Sequence, residues 1–376
     1  MKIVILIAGD FCPQKRVAQC LKDNNFGEVF GSVRKYTEES DYSILNLEAP
    51  IVINRSSPIR KTGPHLQCSV KTIEAIKYAG FKGVTLANNH FYDYGESGVK
   101  DTLRMCSKEN IDTVGGGYDI KDAIKILYKE LSGKRFAFVN FCENEWSVAS
   151  TTKGGSAPLN PVDNYYQIKE AVSNADYVIV ITHGGTEHYN LPTPRMKKTY
   201  RYFIDCGADV VVNHHQHCYS GYEKYNGKYI FYGLGNFCFD IGKQQRNFWN
   251  EGYMLRLQFD DSIHFELIPY VQCAETSAID FDVNPNIFFA NMNELNKIIA
   301  NDSLLEKQFI KMADDKANAL FLSLEPYGNK YLKYLRYKRL IPSLMSKQWY
   351  RLLLALFRCE SHRDILFNIL MKKNNQ

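Results

Sequence analysis

The feature that most constrains this chain is a regular alternation over its first 240 residues. Short apolar runs of three to seven residues alternate with stretches whose apolar positions recur at helical spacing. The runs at 2–8, 42–46, 83–87, 112–114, 134–140, 176–182, 208–213 and 229–233 are too short for buried helices and predict strands. Between them, 69–79, 96–109, 163–174 and 195–206 predict helices; in the first, Val70, Ile73 and Ile76 share a face and Gly80 supplies the stop. This order predicts an α/β domain with a largely buried sheet. Segments 253–259 and 263–269, parted by Asp-Asp-Ser, predict a closing hairpin.

Composition separates the two ends. Residues 330–376 hold eleven Lys or Arg against two acids, a local +9; the whole chain is +5, which leaves −4 on the other 329 residues. A basic nucleic-acid-binding body is therefore not implied, and no nucleic-acid partner is expected. Ten Cys without a CxxC spacing indicate reduced thiols and a cytoplasmic protein. The apolar start is interrupted at Gly9-Asp10, so it reads as a first strand, not as an export signal or a membrane span.

The chemistry-bearing residues cluster at strand ends. The predicted strands terminate at Gly9-Asp10, Asn46-Leu47-Glu48, Asn88-Asn89-His90, His183-Gly184-Gly185 and His214-His215-Gln216-His217. In open α/β sheets, ligands bind at the carboxyl ends of the strands. One Asp after a strand is ordinarily a cap, and an Asn-Asn-His loop can be turn chemistry. Five successive strand ends that each deliver an acid, an amide or an imidazole point instead to a divalent-metal site.

These motifs, continued by Asp93, Gly95, Thr186-Glu187, Gly207-Ala208-Asp209 and Gly235-Asn236-Phe237, come in the order found in a known family. Residues 1–270 resemble the CapA family, named for poly-γ-glutamate capsule synthesis, within the calcineurin-like metallophosphoesterase superfamily. The resemblance implies a four-layer α/β/β/α sandwich over residues 1–275, followed by a mostly helical, basic extension over 285–376. It implies one or two divalent ions, with Mn, Zn, Fe and Mg not distinguished. Asp10 and His217 would hold the first ion, Asn89, His183 and His215 the second, and Glu48 would bridge them. His90 would act on the substrate from just outside the metal shell. Glu187, His214 and Lys61 are further candidates for acid–base or substrate contacts, Lys61 toward an anion.

The resemblance also has departures. Cys12 stands where classical superfamily members carry His, and it reads either as a soft-metal ligand or as a small buried apolar residue. Gly185 replaces a usual Trp, which implies an opening or a reshaped wall. Asn213 replaces a usual Gly before the double His. Gly115-Gly116-Gly117 lacks a dinucleotide spacing but would let backbone approach an anion.

The implied function is a metal-dependent hydrolase acting on a phosphoester or other anionic small molecule or polymer linked to capsule or exopolymer biosynthesis. Two alternatives stand beside it. One is an amide or acyl hydrolase or transferase acting on a γ-glutamyl polymer or glycan intermediate. The other is a non-enzymatic accessory protein that meets capsule-synthesis proteins. The tail, 330–376, interleaves leucines and phenylalanines with basic residues. It either packs on the body or rests peripherally on an anionic membrane at its inner face.

Overall fold

The parity of the first strand sets the layering. In a computed structural model describing residues 2–54, 56–242 and 247–374, Ile3, Ile5 and Ile7 enter one apolar cluster, while Leu6 and Ala8 enter another. Successive side chains of a strand point to opposite faces, so a strand buried on both sides must be apolar at every step.

This strand, β1 (Ile3–Phe11), lies inside an eight-stranded sheet. Edge to edge the order is β16 (Ile279–Asp280), β15 (Ile263–Gln272), β14 (Glu251–Phe259), β1, β2 (Tyr42–Leu47), β3 (Gly83–Thr85) and β4 (Asp112–Val114). A short β13 (Asn236–Cys238) pairs with the end of β1. β1 to β4 run parallel, whereas β14 to β16 are antiparallel additions.

The second sheet has six strands in the order β11 (Tyr222–Tyr225), β12 (Lys228–Phe231), β10 (Val210–His214), β9 (Tyr177–His183), β7 (Lys134–Cys142) and β6 (Leu127–Leu131). Its four central strands are parallel. A two-stranded ribbon joins β5 (Gly116–Gly117) to β8 (Gly155–Ser156).

The sheets face one another through large rings. Tyr42 of β2 meets Phe138 of β7 at 5.1 Å, and Phe136 of β7 meets Phe259 of β14 at 4.9 Å. Helices Lys15–Lys22, Lys71–Tyr78 and Gly95–Lys108 send Val17, Leu21, Ile73, Ile76 and Val99 into the outer cluster of the first sheet. Helices Pro161–Asn174 and Pro194–Asp205 send Ile168, Ala171, Tyr200 and Phe203 against the second. The result is the four-layer α/β/β/α arrangement expected from the sequence.

Two compact units divide the chain, residues 1–306 and 307–376. Helix Pro285–Ala300 belongs to the first; Phe288, Met292, Leu295 and Ile299 are buried in its core. The second unit holds helices Lys330–Tyr337, Lys347–Arg358 and Glu360–Asn374, and the last two residues of the basic extension lie outside the described residues. Its internal anchor is buried Glu325, which accepts from Arg336 Nε, Ser343 Oγ and the Leu344 N–H. No helix among the described residues is long and apolar enough to cross a membrane.

Candidate metal centre

Each strand end carries its donor into the site through a specific backbone device. β1 slips register at Asp10 against both β2 and β13. Gly9 permits this, because a Cβ there would stand 1.9 Å from the Gly235 carbonyl oxygen. Asp10 is then fixed by donors on both oxygens, Asn46 Nδ2 at 2.7 Å and the His215 N–H at 3.1 Å. Glu48 follows β2 directly, its N–H bonded to the Phe11 carbonyl at 3.0 Å. His215 and His217 both have left-handed backbone, φ +91° and +56°, which few non-glycine residues adopt. Such strain persists where surrounding structure over-determines it, and functional sites concentrate it.

The donors converge. His183 Nε2 lies 3.1 Å from Asn89 Oδ1, 3.1 Å from His215 Nδ1 and 3.6 Å from Glu48 Oε1. His217 Nε2 also lies 3.6 Å from Glu48 Oε1, and its Nδ1 is 3.7 Å from Asp10 Oδ2. Two groups that could each hold a metal ion result, Glu48 with His183 and His215, and Asp10 with Glu48 and His217; in each, the donor atoms lie within 4.8 Å of one another. Glu48 is common to both, as a bridging carboxylate must be.

The decisive observation is Glu48 itself. It is fully buried, and neither carboxylate oxygen has a hydrogen-bond partner. A buried charge without partner or donor is costly enough that proteins neutralise it or coordinate a cation with it. Burial, then the neighbouring charges of Asp10, Glu187, Glu145 and Asp93, hold its carboxyl well above the ordinary range. Burial also raises Asp10 to about 7, against the hydrogen bonds from Asn46 and His215. Burial keeps His183 and His217 neutral, their values far below the usual imidazole range. Carboxylate oxygens and neutral imidazole nitrogens from several rigid elements suit a divalent cation.

The remaining candidates take different places. His90 Nδ1 contacts Asp93 Oδ2 at 2.7 Å, and Asp93 also pairs with Lys61 and accepts the Leu66 N–H. Lys61 is only 3% exposed at its side chain, and its ammonium stands 3.3 Å from His90 Nδ1. It is therefore committed to Asp93 and His90 instead of facing an open cleft. His214 is buried with Nδ1 3.5 Å from Asp10 Oδ1, both ring nitrogens lack hydrogen-bond partners, and burial lowers it to about 3. Glu187 is exposed, and its charge acts on both Asp10 and Glu48.

The departures resolve structurally. Cys12 is wholly buried in the apolar cluster, where burial raises its thiol well above the ordinary value; this is the setting of a small apolar residue. Asn213 does not serve a turn. From within β10 it bridges the Gly184 and Tyr232 carbonyls and accepts from Thr182 and Tyr200. Gly185 leaves no opening at its own backbone, since a Cβ there would meet Met196 Sδ at 2.7 Å. Gly115 and Gly117 allow close packing against Asn140 and Ala123, not approach to an anion.

Sequence reasoning missed the roles of two residues. Asn236 Oδ1 accepts from His217 Nδ1 at 2.9 Å, which leaves Nε2 to face Glu48. Trp249 meets His217 at 4.8 Å with the rings tilted, and walls that side of the centre with Phe239. Asn236 had a signal, its place in the Gly-Asn-Phe motif; Trp249 had none.

Comparison with known proteins agrees with this geometry. A capsule biosynthesis protein CapA of Bacillus anthracis is 35% identical over 249 residues, covering 64% of this chain and 61% of its own. A PGA biosynthesis protein CapA of Bacillus subtilis (strain 168) is 35% identical over 237 residues, covering 62% of each. A probable polyglutamine synthesis accessory protein of Mycobacterium tuberculosis is 26% identical over 210 residues, covering 52% of this chain and 55% of its own. The chain thus spans about three fifths of the two Bacillus relatives. Residues 4–241, well over half the chain, match the family described as bacterial capsule synthesis protein PGA_cap. The paired Asp/Glu/His groups are consistent with a calcineurin-like metal-binding site, and the match establishes that the chain belongs to the PGA_cap (CapA) family.

Proposed function

We propose that this chain is a divalent-metal-dependent hydrolase acting on a phosphoester or other anionic intermediate of capsule or exopolymer biosynthesis. The observation that carries the reading is the bare, buried Glu48 carboxylate set between two groups of metal-binding side chains. Asp10, Glu48 and His217 would hold one cation, and Glu48, Asn89, His183 and His215 the other. Cations held there supply Lewis-acid polarisation and acidify water at neutral pH. The chain's own residues do the rest. Asp93 engages His90 Nδ1, which leaves Nε2 to deliver a proton to a leaving group. Lys61 holds Asp93 in place, and Trp249 and Phe239 shield His217 from water.

A second reading, cleavage or transfer at an amide or acyl group of a γ-glutamyl polymer, draws on two observations. Lys61, the basic residue expected to meet an anion, either phosphate or carboxylate, is occupied by Asp93, and Glu145 and Glu187 stand near enough to Glu48 to act on its charge. One experiment separates the two. The metal-stripped full chain is reloaded with Mn²⁺ and offered bis-p-nitrophenyl phosphate and γ-glutamyl-p-nitroanilide. Phosphodiester turnover that falls by roughly 10²–10⁴ in His90→Ala, with Mn²⁺ retained, is the result expected. Turnover of the anilide alone selects the second reading. Bound Mn²⁺ with no turnover of either probe returns the chain to the accessory class.

We place the protein in the cytoplasm, with the second unit meeting the inner face of an anionic membrane. Trp349, Leu352, Phe357, Ile365, Phe367 and Leu370 are exposed there beside Lys347, Arg351, Arg358 and Arg363. Amphipathic basic helices bind such surfaces. Cosedimentation with phosphatidylserine vesicles that weakens as salt rises is the expected result, and absence of binding at low salt would remove the placement.

A further inference from the structure

We propose that Glu145 is the carboxylate that orients His215, accepting its Nε2–H so that Nδ1 is presented to a cation. The inference rests on the metal reading above and extends it to a residue outside the motifs that carried the resemblance.

The two ring nitrogens of His215 have different surroundings. Nδ1 lies 3.1 Å from His183 Nε2, the atom that also faces Asn89 and Glu48, so Nδ1 is the nitrogen aimed at the centre. Nε2 points the other way, and the carboxylate within its reach is Glu145, with Oε1 at 3.9 Å. An imidazole that ligates through one nitrogen carries its proton on the other. His215 as a whole is only 5% exposed, so little water competes with a protein acceptor for that N–H. Metal-ligating histidines generally direct that N–H to a carboxylate, a carbonyl or water, which fixes tautomer and ring angle. The same device already serves the other half of the centre, where His217 Nδ1 is held by Asn236 Oδ1 at 2.9 Å.

Glu145 is also placed by more than chance proximity. It lies in the loop after β7, and that loop is tied to both neighbouring ligand loops. The Glu143 N–H bonds the His183 carbonyl at 3.0 Å. Ser147 Oγ donates to the Asn89 carbonyl at 2.7 Å and accepts the Tyr92 N–H at 3.0 Å. The loop thus travels with His183 and Asn89, and its carboxylate stays in register with His215. A small rotamer change brings Oε1 from 3.9 Å to hydrogen-bond distance, which the 40% exposure of the Glu145 side chain leaves room for. Neighbouring Glu143 is not equivalent, because it is paired with Arg195.

The test is a Mn²⁺ titration of metal-stripped full-length protein, read by the electron paramagnetic resonance of free Mn²⁺. Wild type is compared with Glu145→Ala, Glu145→Gln and Glu143→Gln. Loss of an orienting partner of a metal ligand typically weakens affinity about 10–100-fold, and that is the drop expected for Glu145→Ala. The Gln variant retains an acceptor oxygen and recovers most of the affinity, a rescue that generic rim charge would not give. Glu143→Gln stays near wild type. Metal-free melting curves of all four proteins should coincide, which separates positioning from folding. Equal affinity in wild type and Glu145→Ala overturns this proposal alone. A Glu143→Gln loss matching that of Glu145→Ala assigns the effect to diffuse charge and also overturns it. Wild type that takes up no Mn²⁺ overturns the metal reading and this proposal together.

Discussion

Replacing Glu48 by Gln should stabilise the metal-free protein and remove most of the stabilisation that metal supplies, a pair of opposed effects that few other substitutions would give. Without a cation, Glu48 faces the Nε2 atoms of His183 and His217 at 3.6 Å, both on neutral rings, and has no donor of its own. Its ordinary pKa is 4.5, and burial shifts it well upward. A carboxyl that stayed protonated as far as pH 8 would set a ceiling of about 5 kcal/mol on the cost, at roughly 1.36 kcal/mol per pH unit. Local relaxation and water entry lower the figure, and the ordinary penalty for an unsatisfied buried polar group, about 1–3 kcal/mol, sets the lower end. An amide of the same shape carries no charge, offers an N–H donor to the bare Nε2 of His217 and keeps an oxygen that can accept from His183 Nε2–H. At about 2 °C per kcal/mol for a protein of this size, melting in EDTA at pH 8 should rise by about 2–10 °C. Mn²⁺ at a hundred times its Kd adds about 2.7 kcal/mol to wild type, and far less to the variant. The assay is differential scanning fluorimetry of both proteins in EDTA and in Mn²⁺, with bound metal counted. A variant that melts below wild type by the same margin in both conditions would refute the reasoning, because Glu48 would then be a structural residue.

Two further outcomes follow from the same groups. In EDTA, wild-type stability should peak near pH 6.5. Below that value, the four depressed imidazoles of His183, His214, His215 and His217 bind protons only when unfolded, so stability rises with pH. The raised carboxyls of Asp10 and Glu48 act oppositely, since the folded state keeps protons that the unfolded chain has released. Above 6.5 only the carboxyls still differ, and stability falls; a melting temperature that climbs steadily to pH 8.5 in EDTA would contradict this. Lys61→Met leaves Asp93 charged and buried without its cation, and should cost about 3–5 kcal/mol. A melting change below about 2 °C would show that the pair is replaceable.

The strand ends were legible because their residues had no competing use. An apolar run of six that stops at Gly-Asp, and another that stops at Asn-Leu-Glu, must place those side chains at the rim of a buried sheet. Asp10, His183, His215 and His217 stand around Glu48, and Asn89 contacts His183. What the sequence hid falls into three physical kinds. The edge strands β6 and β11 are polar and half-exposed, so their alternation is diluted. Helix Pro285–Ala300 lies where composition changes, yet its four core residues recur at helical spacing and pack into the first unit. Lys61 and Glu145 have no periodicity at all; their roles depend on Asp93 and His215, which are distant in sequence or brought near only by loop hydrogen bonds.

The division of the donors between the two sheets has a kinetic consequence. Asp10, Glu48 and Asn89 stand at or just after the ends of strands of the first sheet, and His183, His215 and His217 at or just after the ends of strands of the second. Neither sheet alone offers a complete ligand set, so a cation can be captured only after the two have docked. Metal should then act late, as a clasp across one rim of the sandwich. It would slow the parting of the sheets while leaving the rate of their assembly almost unchanged, because interactions absent from the folding transition state appear in the unfolding rate alone. A protein charged with its ions would be long-lived, and one emptied of them would come apart first at the rim where its chemistry resides.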